Sequence, residues 1–139
     1  MEMSRLPSLS KAMTKRLRSL SMRKYREREG LFLVEGTRVC QEALESGWPL
    51  QMAVLSQEFL HCSGSLWIEQ LLDRGVEMFQ TTEHHFAHIS NTVQPQGVLL
   101  VAKMPPRNSA FSIADNLILA LDGIKDPGNM GSILRTSDW

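Results

Sequence analysis

Leu117-Ile-Leu-Ala-Leu-Asp-Gly-Ile-Lys-Asp-Pro-Gly-Asn-Met-Gly-Ser-Ile-Leu-Arg135 writes a strand, a glycine-rich loop and a helix in succession. Leu117 to Leu121 is a short continuous apolar run closed by Asp122 and Gly123, the pattern of a strand buried on both faces. Asp126-Pro127-Gly128-Asn129 is dense in turn chemistry, and Gly131 lets the backbone come close to a partner. Ser132 is a good N-cap for a helix carrying Ile133, Leu134 and Arg135. Buried strand, loop and helix N-terminus together predict an α/β architecture, with a ligand beyond the carboxyl end of the strand. The loop is neither a P-loop, since no Gly-Lys-Ser/Thr follows, nor a Gly-x-Gly-x-x-Gly fingerprint. A tight βα turn in which Asn129 bonds only its own loop stays open beside the ligand reading.

Upstream, Met104 to Asn116 is rich in Pro, Ser and Asn and reads as a linker over 105–116. Before it, strands and helices alternate. Leu31 to Val34 forms a strand ending at Glu35-Gly36. Thr37 caps a helix to about Ser46 with Val39, Cys40, Ala43 and Leu44 inward. Met52 to Leu55 is a second strand. A helix from about Ser65 to Asp73 follows, burying Leu66, Ile68, Leu71 and Leu72 and stopping at Arg74-Gly75. Val76 to Phe79 is a third strand, Thr82 opens a short helix to Ile89, and Gly97 to Ala102 is a fourth strand. Alternation of this kind predicts a small layered α/β domain over 30–104 with a partly parallel sheet.

Zero net charge conceals a division. Between Met1 and Arg28 nine cations face only Glu2 and Glu27, a net of +7, and the remainder carries −7. Ser10 to Arg28 reads as one helix with a thin apolar stripe of Ala12, Leu17 and Leu20. Residues 1–29 thus form a basic helix, with Lys15, Arg16, Arg18, Arg23, Lys24, Arg26 and Arg28 placed to contact phosphates, or else solvated while the helix docks on the acidic body through that stripe. Tyr25 sits among these cations and could stack on a base.

Other constellations carry less. His84 and His88 share one helix face, but nothing completes a metal site and the His-Glu-x-x-His order is absent, so no metal is expected. Eight Met residues read as core filler, and Trp48, Trp67 and Phe79 as packing. Cys40 and Cys62 are isolated thiols suited to a reducing compartment. No apolar run spans a membrane and no signal peptide is visible, so a cytoplasmic protein is the default; the basic start leaves an organellar transit peptide open.

Leu121-Asp-Gly-Ile-Lys-Asp-Pro-Gly-Asn-Met-Gly-Ser-Ile-Leu-Arg135-Thr136 closely resembles the first conserved motif of the SpoU (TrmH) family of RNA ribose 2′-O-methyltransferases, with the Asn129-x-Gly131-x-x-x-Arg135 spacing intact. Phe32-Leu-Val-Glu-Gly36 and Thr92-Val-Gln-Pro-Gln-Gly97 are similar to segments of that family's N-terminal substrate-binding domain. The resemblance implies an L30e-like α/β/α sandwich at 30–104, and at 117–139 the first strand, loop and helix of a SPOUT (α/β knot) methyltransferase domain. It implies S-adenosylmethionine-dependent methyl transfer to a ribose 2′-OH of rRNA or tRNA, with Asn129 and Arg135 at the catalytic site and a homodimer through the catalytic domain.

An arginine is permanently charged, with a pKa above about 12, so proton abstraction by Arg135 is chemically awkward. Gripping the RNA phosphate and stabilising a developing alkoxide suits it better. The chain stops at Trp139, ahead of the family's later motifs and the knot that binds the methyl donor. No cofactor-binding residue is therefore expected in this chain, which reads as a truncated portion, inactive by itself, of a larger enzyme. The competing expectation is a non-catalytic L30e-like RNA-binding adaptor. A nucleotide-binding enzyme using the Asp126 to Gly131 loop is weaker, for want of a lysine at the required spacing.

Overall fold

Along Val98-Leu-Leu-Val-Ala102 successive side chains enter two different cores, Val98, Leu100 and Ala102 one and Leu99 and Val101 the other. That period of two, apolar on both sides, belongs to a strand with helices over each face. The computed structural model describes residues 6–106 and 119–137. They fall into two units, Met1–Pro106 and Arg107–Trp139.

The first unit is built on a four-stranded sheet of β1 (Leu31–Glu35), β2 (Leu50–Ser56), β3 (Glu77–Thr81) and β4 (Val98–Lys103). The order is β1-β4-β2-β3. β2 and β3 are parallel, and β4 runs antiparallel to both β1 and β2. β1, β2 and β3 therefore point the same way, and their carboxyl ends share one edge with the start of β4. The expected partly parallel sheet is present.

Helices cover both faces. α3 (Thr37–Glu45) and α4 (Gln57–Asp73) close one core through Cys40, Leu44, Phe59, Leu60, Trp67, Ile68 and Leu71. α1 (Lys11–Ser19), α2 (Arg23–Glu29) and α5 (Glu83–Ile89) lie on the other, where Leu17, Leu20, Phe86 and Ile89 are buried and Met13 and Tyr25 pack against them. Each such buried Leu, Ile or Phe contributes roughly 1.5–3 kcal/mol. The result is an α/β/α sandwich in which the basic head forms part of a layer. Residues before α1 cover the outer edge of β3: Leu9 N–H donates to the Gln80 carbonyl and Gln80 N–H to the Pro7 carbonyl, both at 2.9 Å. An otherwise open strand edge is thereby paired.

Several expectations are corrected. Ser10 to Arg28 is two helices, because the chain tightens after Ser19. Leu20, Ser21 and Met22 N–H groups bond three residues back, to Leu17, Arg18 and Ser19. Ser21 Oγ also donates to the Arg18 carbonyl at 2.8 Å. α4 starts at Gln57, well ahead of Ser65, since Ser56 Oγ accepts from Phe59 N–H at 3.2 Å and caps it. Val39, Leu66 and Leu72 point outward, 53%, 60% and 43% exposed, so the inward stripes of α3 and α4 are narrower than predicted. Thr37 does not cap α3; Gly36 holds the N-cap position. Thr82 does cap α5, accepting from His85 N–H at 3.3 Å.

The second unit contributes α6 (Pro127–Ser137). Leu117 and Ile118, the start of the strand expected over Leu117 to Leu121, lie outside the described residues, as does 107–116 of the linker. Leu119 to Leu121 are not a strand, and Leu119 and Leu121 are 50% and 37% exposed. A strand needs a neighbour for its N–H and C=O groups, and among the described residues of this unit there is none.

Candidate nucleic-acid interface

The basic head separates into anchors and free cations. Arg26 is an anchor: its guanidinium donates to the carbonyls of Leu20 and Ser21 at 3.0 and 2.6 Å, satisfying acceptors exposed where α1 ends. Arg16 pairs with Glu29 at 2.6 Å and ties α1 to α2. Its hydrogen bond is the main reason the Glu29 carboxyl is held below the ordinary carboxylate range. Arg23 pairs with Glu27 one turn on, at 2.7 Å. Arg28 reaches Glu29 at 3.4 Å and lies 4.7 Å above the Tyr25 ring. Tyr25 thus has one face covered by its own neighbour and packs against the core.

Lys15, Arg18 and Lys24 are exposed and have no carboxylate within ion-pair distance among the described residues. Lys11 shares that state and escaped the sequence reading. Lys11, Lys15 and Arg18 are spaced i, i+4, i+7 and form one stripe. Met13, Leu17 and Leu20 repeat the same spacing two residues later, about 200° around the helix, and face the sheet. The cationic stripe therefore faces away from the core. The signal that could have found Lys11 is that two-residue offset.

A second feature lies at the carboxyl edge of β1, β2 and β3, where ligands gather in open α/β sheets. Glu35, at the end of β1, holds the loop before β4: Ser90 Oγ and Thr92 Oγ1 donate to Oε1, the latter at 3.0 Å, and Asn91 N–H donates to Oε2 at 3.0 Å. Gln96 Oε1 accepts from both the backbone N–H and the hydroxyl of Thr37, at 2.8 and 2.9 Å. Gly97 has φ +77°, and a Cβ there would come within 2.5 Å of Ser56 Oγ. Between this loop, the start of α4 and α5 lies a crevice of about 500 Å³, lined by residues including Phe59, Phe86, Ala87, Pro95, Glu58 and Cys62. Glu83 Oε1 accepts from Glu58 N–H at 2.6 Å, so a side-chain carboxylate already sits at the α4 N-terminus. That bond is the first reason the Glu83 carboxyl is held below its ordinary range.

Histidine chemistry is modest. His84 and His88 bring their Nε2 atoms within 3.2 Å of one another. Among the described residues no group of three or more potential ligands is arranged to hold a metal ion.

In the second unit, Asn129 and Arg135 both lie on α6 and both are exposed. The start of α6 corrects the expected turn. Pro127 is the first helical residue, and Asp126 Oδ1 accepts from Gly128 N–H at 3.0 Å. Asn129 is therefore in the first helical turn. Ser132 is not a cap; its Oγ donates to the Gly128 carbonyl at 3.0 Å from inside the helix. Arg135 lies one turn beyond Gly131, and a Cβ on Gly131 would stand 3.9 Å from its Nη1. No residue of α6 is buried, so the helix alone offers no walled site for a cofactor.

The family model described as the MRM3-like substrate binding domain matches residues 11–100. The 23S rRNA (guanosine(2553)-2′-O)-methyltransferase RlmP of Bacillus subtilis is 27% identical over 136 residues, which cover 98% of this chain and 51% of that one. A putative RNA methyltransferase of the TrmH family from Porphyromonas gingivalis superposes with a TM-score of 0.64 at 32% identity, covering 94% of this chain and 49% of that chain. The SpoU methyltransferase AviRb from Streptomyces viridochromogenes, solved in complex with the cofactor AdoMet, gives a TM-score of 0.62 at 27% identity, over 93% and 49% of the two chains. The chain spans about half the length of the first of the curated relatives it matches.

Proposed function

Because this chain belongs to the MRM3-like substrate-binding-domain family of the SpoU (TrmH) RNA methyltransferases, we propose that its first unit holds rRNA or tRNA for S-adenosylmethionine-dependent methylation of a ribose 2′-OH. The observation that carries the RNA reading is the stripe of Lys11, Lys15 and Arg18, unpaired among the described residues and turned away from the face that α1 buries. Over those seven residues the helix rises about 10 Å, a span that lets three cations follow successive phosphates of one strand. In this reading 30–104 is an L30e-like domain, 105–116 a linker, and 117–139 the opening of a SPOUT methyltransferase domain that dimerises and works in the cytoplasm.

The chemistry is in-line displacement at a sulfonium methyl, which S-adenosylmethionine supplies when bound. In this reading the residues that hold that cofactor lie outside α6. What this chain contributes is a fixed cation. Arg135 grips the RNA phosphate beside the target ribose and stabilises the alkoxide as the hydroxyl loses its proton. Asn129, in the first turn of α6, orients the loop and neighbouring groups. The 139-residue polypeptide alone binds RNA and transfers no methyl group.

The test is binding of an rRNA fragment across a salt series, with a methyl-transfer assay alongside. Neutralising Lys11, Lys15 and Arg18 to Gln should reduce the slope of log affinity against log salt by roughly 2–3. An unchanged slope would remove the stripe from the interface. The adaptor reading draws on a specific contrast: the first unit has two closed cores while α6 buries nothing. It gains if a protein carrying the complete methyltransferase domain binds RNA but not S-adenosylmethionine.

A further inference from the structure

The crevice at the carboxyl edge of the sheet differs in chemistry from the cationic stripe, although both flank α5. α1 packs against α5 on one side, and Glu83, Phe86 and Ala87 of α5 line the crevice. Open α/β folds commonly place phosphate at a helix N-terminus on this edge. Here at least one of those donors is taken at each helix. Glu83 occupies the Glu58 N–H of α4, Ser56 Oγ the Phe59 N–H, Gln96 the Thr37 N–H of α3, and Thr82 Oγ1 the His85 N–H of α5. Glu58 and Glu83 add negative charge to the lining, and among the described residues no Lys or Arg lines it. A phosphate is repelled from such a place.

The remaining surface is apolar, from the exposed Ala87 and Pro95 with the buried Phe59 and Phe86 as its floor, and polar groups stand at its rim. Gln96 spends its Oε1 on Thr37 and keeps its amide N–H groups as donors, while the Glu58 side chain has no partner among the described residues. An apolar slot rimmed by one acceptor carboxylate and one donor amide matches the edge of a nucleobase, which presents N–H donors beside ring or carbonyl acceptors. We infer that this crevice receives one unstacked nucleobase of the bound RNA, seated against the exposed Ala87 and Pro95 over the buried Phe59 and Phe86, with its N–H edge toward Glu58, while the cations of α1 hold the backbone. The inference rests on the RNA reading above and adds to it a site for an unpaired nucleotide.

Cys62 makes the test direct. It is exposed and lines the crevice, whereas Cys40 is buried, its thiol pushed up to about 12 chiefly by that burial. Alkylation of the native chain therefore reports on Cys62. A single-stranded RNA hexamer at saturating concentration should slow Cys62 alkylation roughly tenfold, in the range expected for a base docked on an apolar platform. A fully paired RNA duplex of equal phosphate content, and inorganic phosphate, should leave the rate unchanged. Ala87→Trp, which fills the crevice from an exposed position on α5, should abolish hexamer-specific protection while keeping salt-dependent retention on the stripe. If Ala87→Trp fails to fold, Glu58→Lys gives the second reading, and it should turn phosphate from inert to protective. Protection by the duplex equal to that by the hexamer would overturn the base assignment. So would RNA binding with no protection of Cys62, and that outcome leaves the RNA reading standing. Absence of any RNA binding would instead defeat the proposed function itself.

Discussion

Arg16 and Glu29 meet at 2.6 Å across thirteen positions of sequence, closing α1 onto the end of α2. With Arg26 donating to Leu20 and Ser21, this turns a run of charge into a folded helical pair. Of seven cations assigned to RNA from the sequence, Arg16, Arg23, Arg26 and Arg28 thus have partners inside the protein, and Lys15, Arg18 and Lys24 have none among the described residues.

Arg26→Gln should therefore lower stability and leave the salt dependence of RNA binding nearly unchanged. Losing charge-assisted bonds to two carbonyls costs about 1–3 kcal/mol. Lys15→Gln, on the open face, should stay within about 0.5 kcal/mol of the parent. Urea unfolding followed by circular dichroism separates the two, and equal stability of both variants would remove Arg26 as an anchor.

Gly97→Ala should be among the most damaging single changes in the first unit. A Cβ would stand 2.5 Å from Ser56 Oγ and 2.8 Å from Phe59 Cβ, on a backbone at φ +77°. Strain at positive φ of about 1–2 kcal/mol adds to overpacking of about 1–3 kcal/mol. Gly30→Ala is the control: φ is +64° but nothing lies within 4 Å of the new Cβ, so only the conformational part is lost. Equal unfolding free energies for the two variants would contradict the close contact at Gly97.

Strands were legible because β1, β2 and β4 are apolar on both faces, and the cap at Thr82 follows from residue type, whereas the same type of cap at Ser56 went unread. What escaped the sequence is tertiary. Whether Leu66 or Trp67 turns inward depends on where α4 meets the sheet, and Trp67 is the buried one, 5.5 Å from the Phe59 ring. The break after Ser19 has no Pro or Gly to mark it, and Arg26 stabilises it from six residues away. Glu83 is the first residue of α5, yet its carboxylate serves the start of α4, twenty-five positions upstream. At α6 the Pro at N1 outweighed Ser132 as a boundary signal, with Asp126 as its cap. The seat of a ligand was likewise unreadable, because the crevice is assembled from three separated segments.

Acid should loosen the α4–α5 junction through Glu83. Its carboxyl titrates below its ordinary value because the Glu58 N–H bonds the charged form. A group depressed in the folded state contributes stability above its unfolded value and loses it as pH falls through the folded one. Stability should accordingly drop as pH descends below the ordinary carboxylate range, and Glu83→Gln should flatten that limb without altering behaviour near neutrality in slope. Urea midpoints collected from neutral to strongly acidic pH test this, and parallel acid limbs for parent and variant would assign the loss to other carboxylates such as Glu29.

Arg135→Ala distinguishes a chemical role from a folding one, because the side chain is exposed on α6 and packs over nothing larger than Gly131. Removal should leave the helix intact, with a cost near zero in stability. If the guanidinium stabilises an alkoxide, a protein with the complete methyltransferase domain should lose about 10²–10³ in kcat. S-adenosylmethionine affinity should hold, since the charge addresses the ribose and its phosphate. Arg135→Lys keeps the charge but not the planar fork, and should recover only part of the loss. Asp126→Ala probes the other route to the same defect: it removes the Gly128 N–H acceptor, costs about 1 kcal/mol at the helix start, and should weaken turnover and folding together. Titration calorimetry with the cofactor beside single-turnover methyl transfer reads both quantities. Parallel loss of affinity and rate in Arg135→Ala would reassign that residue from the reacting ribose to the architecture around α6.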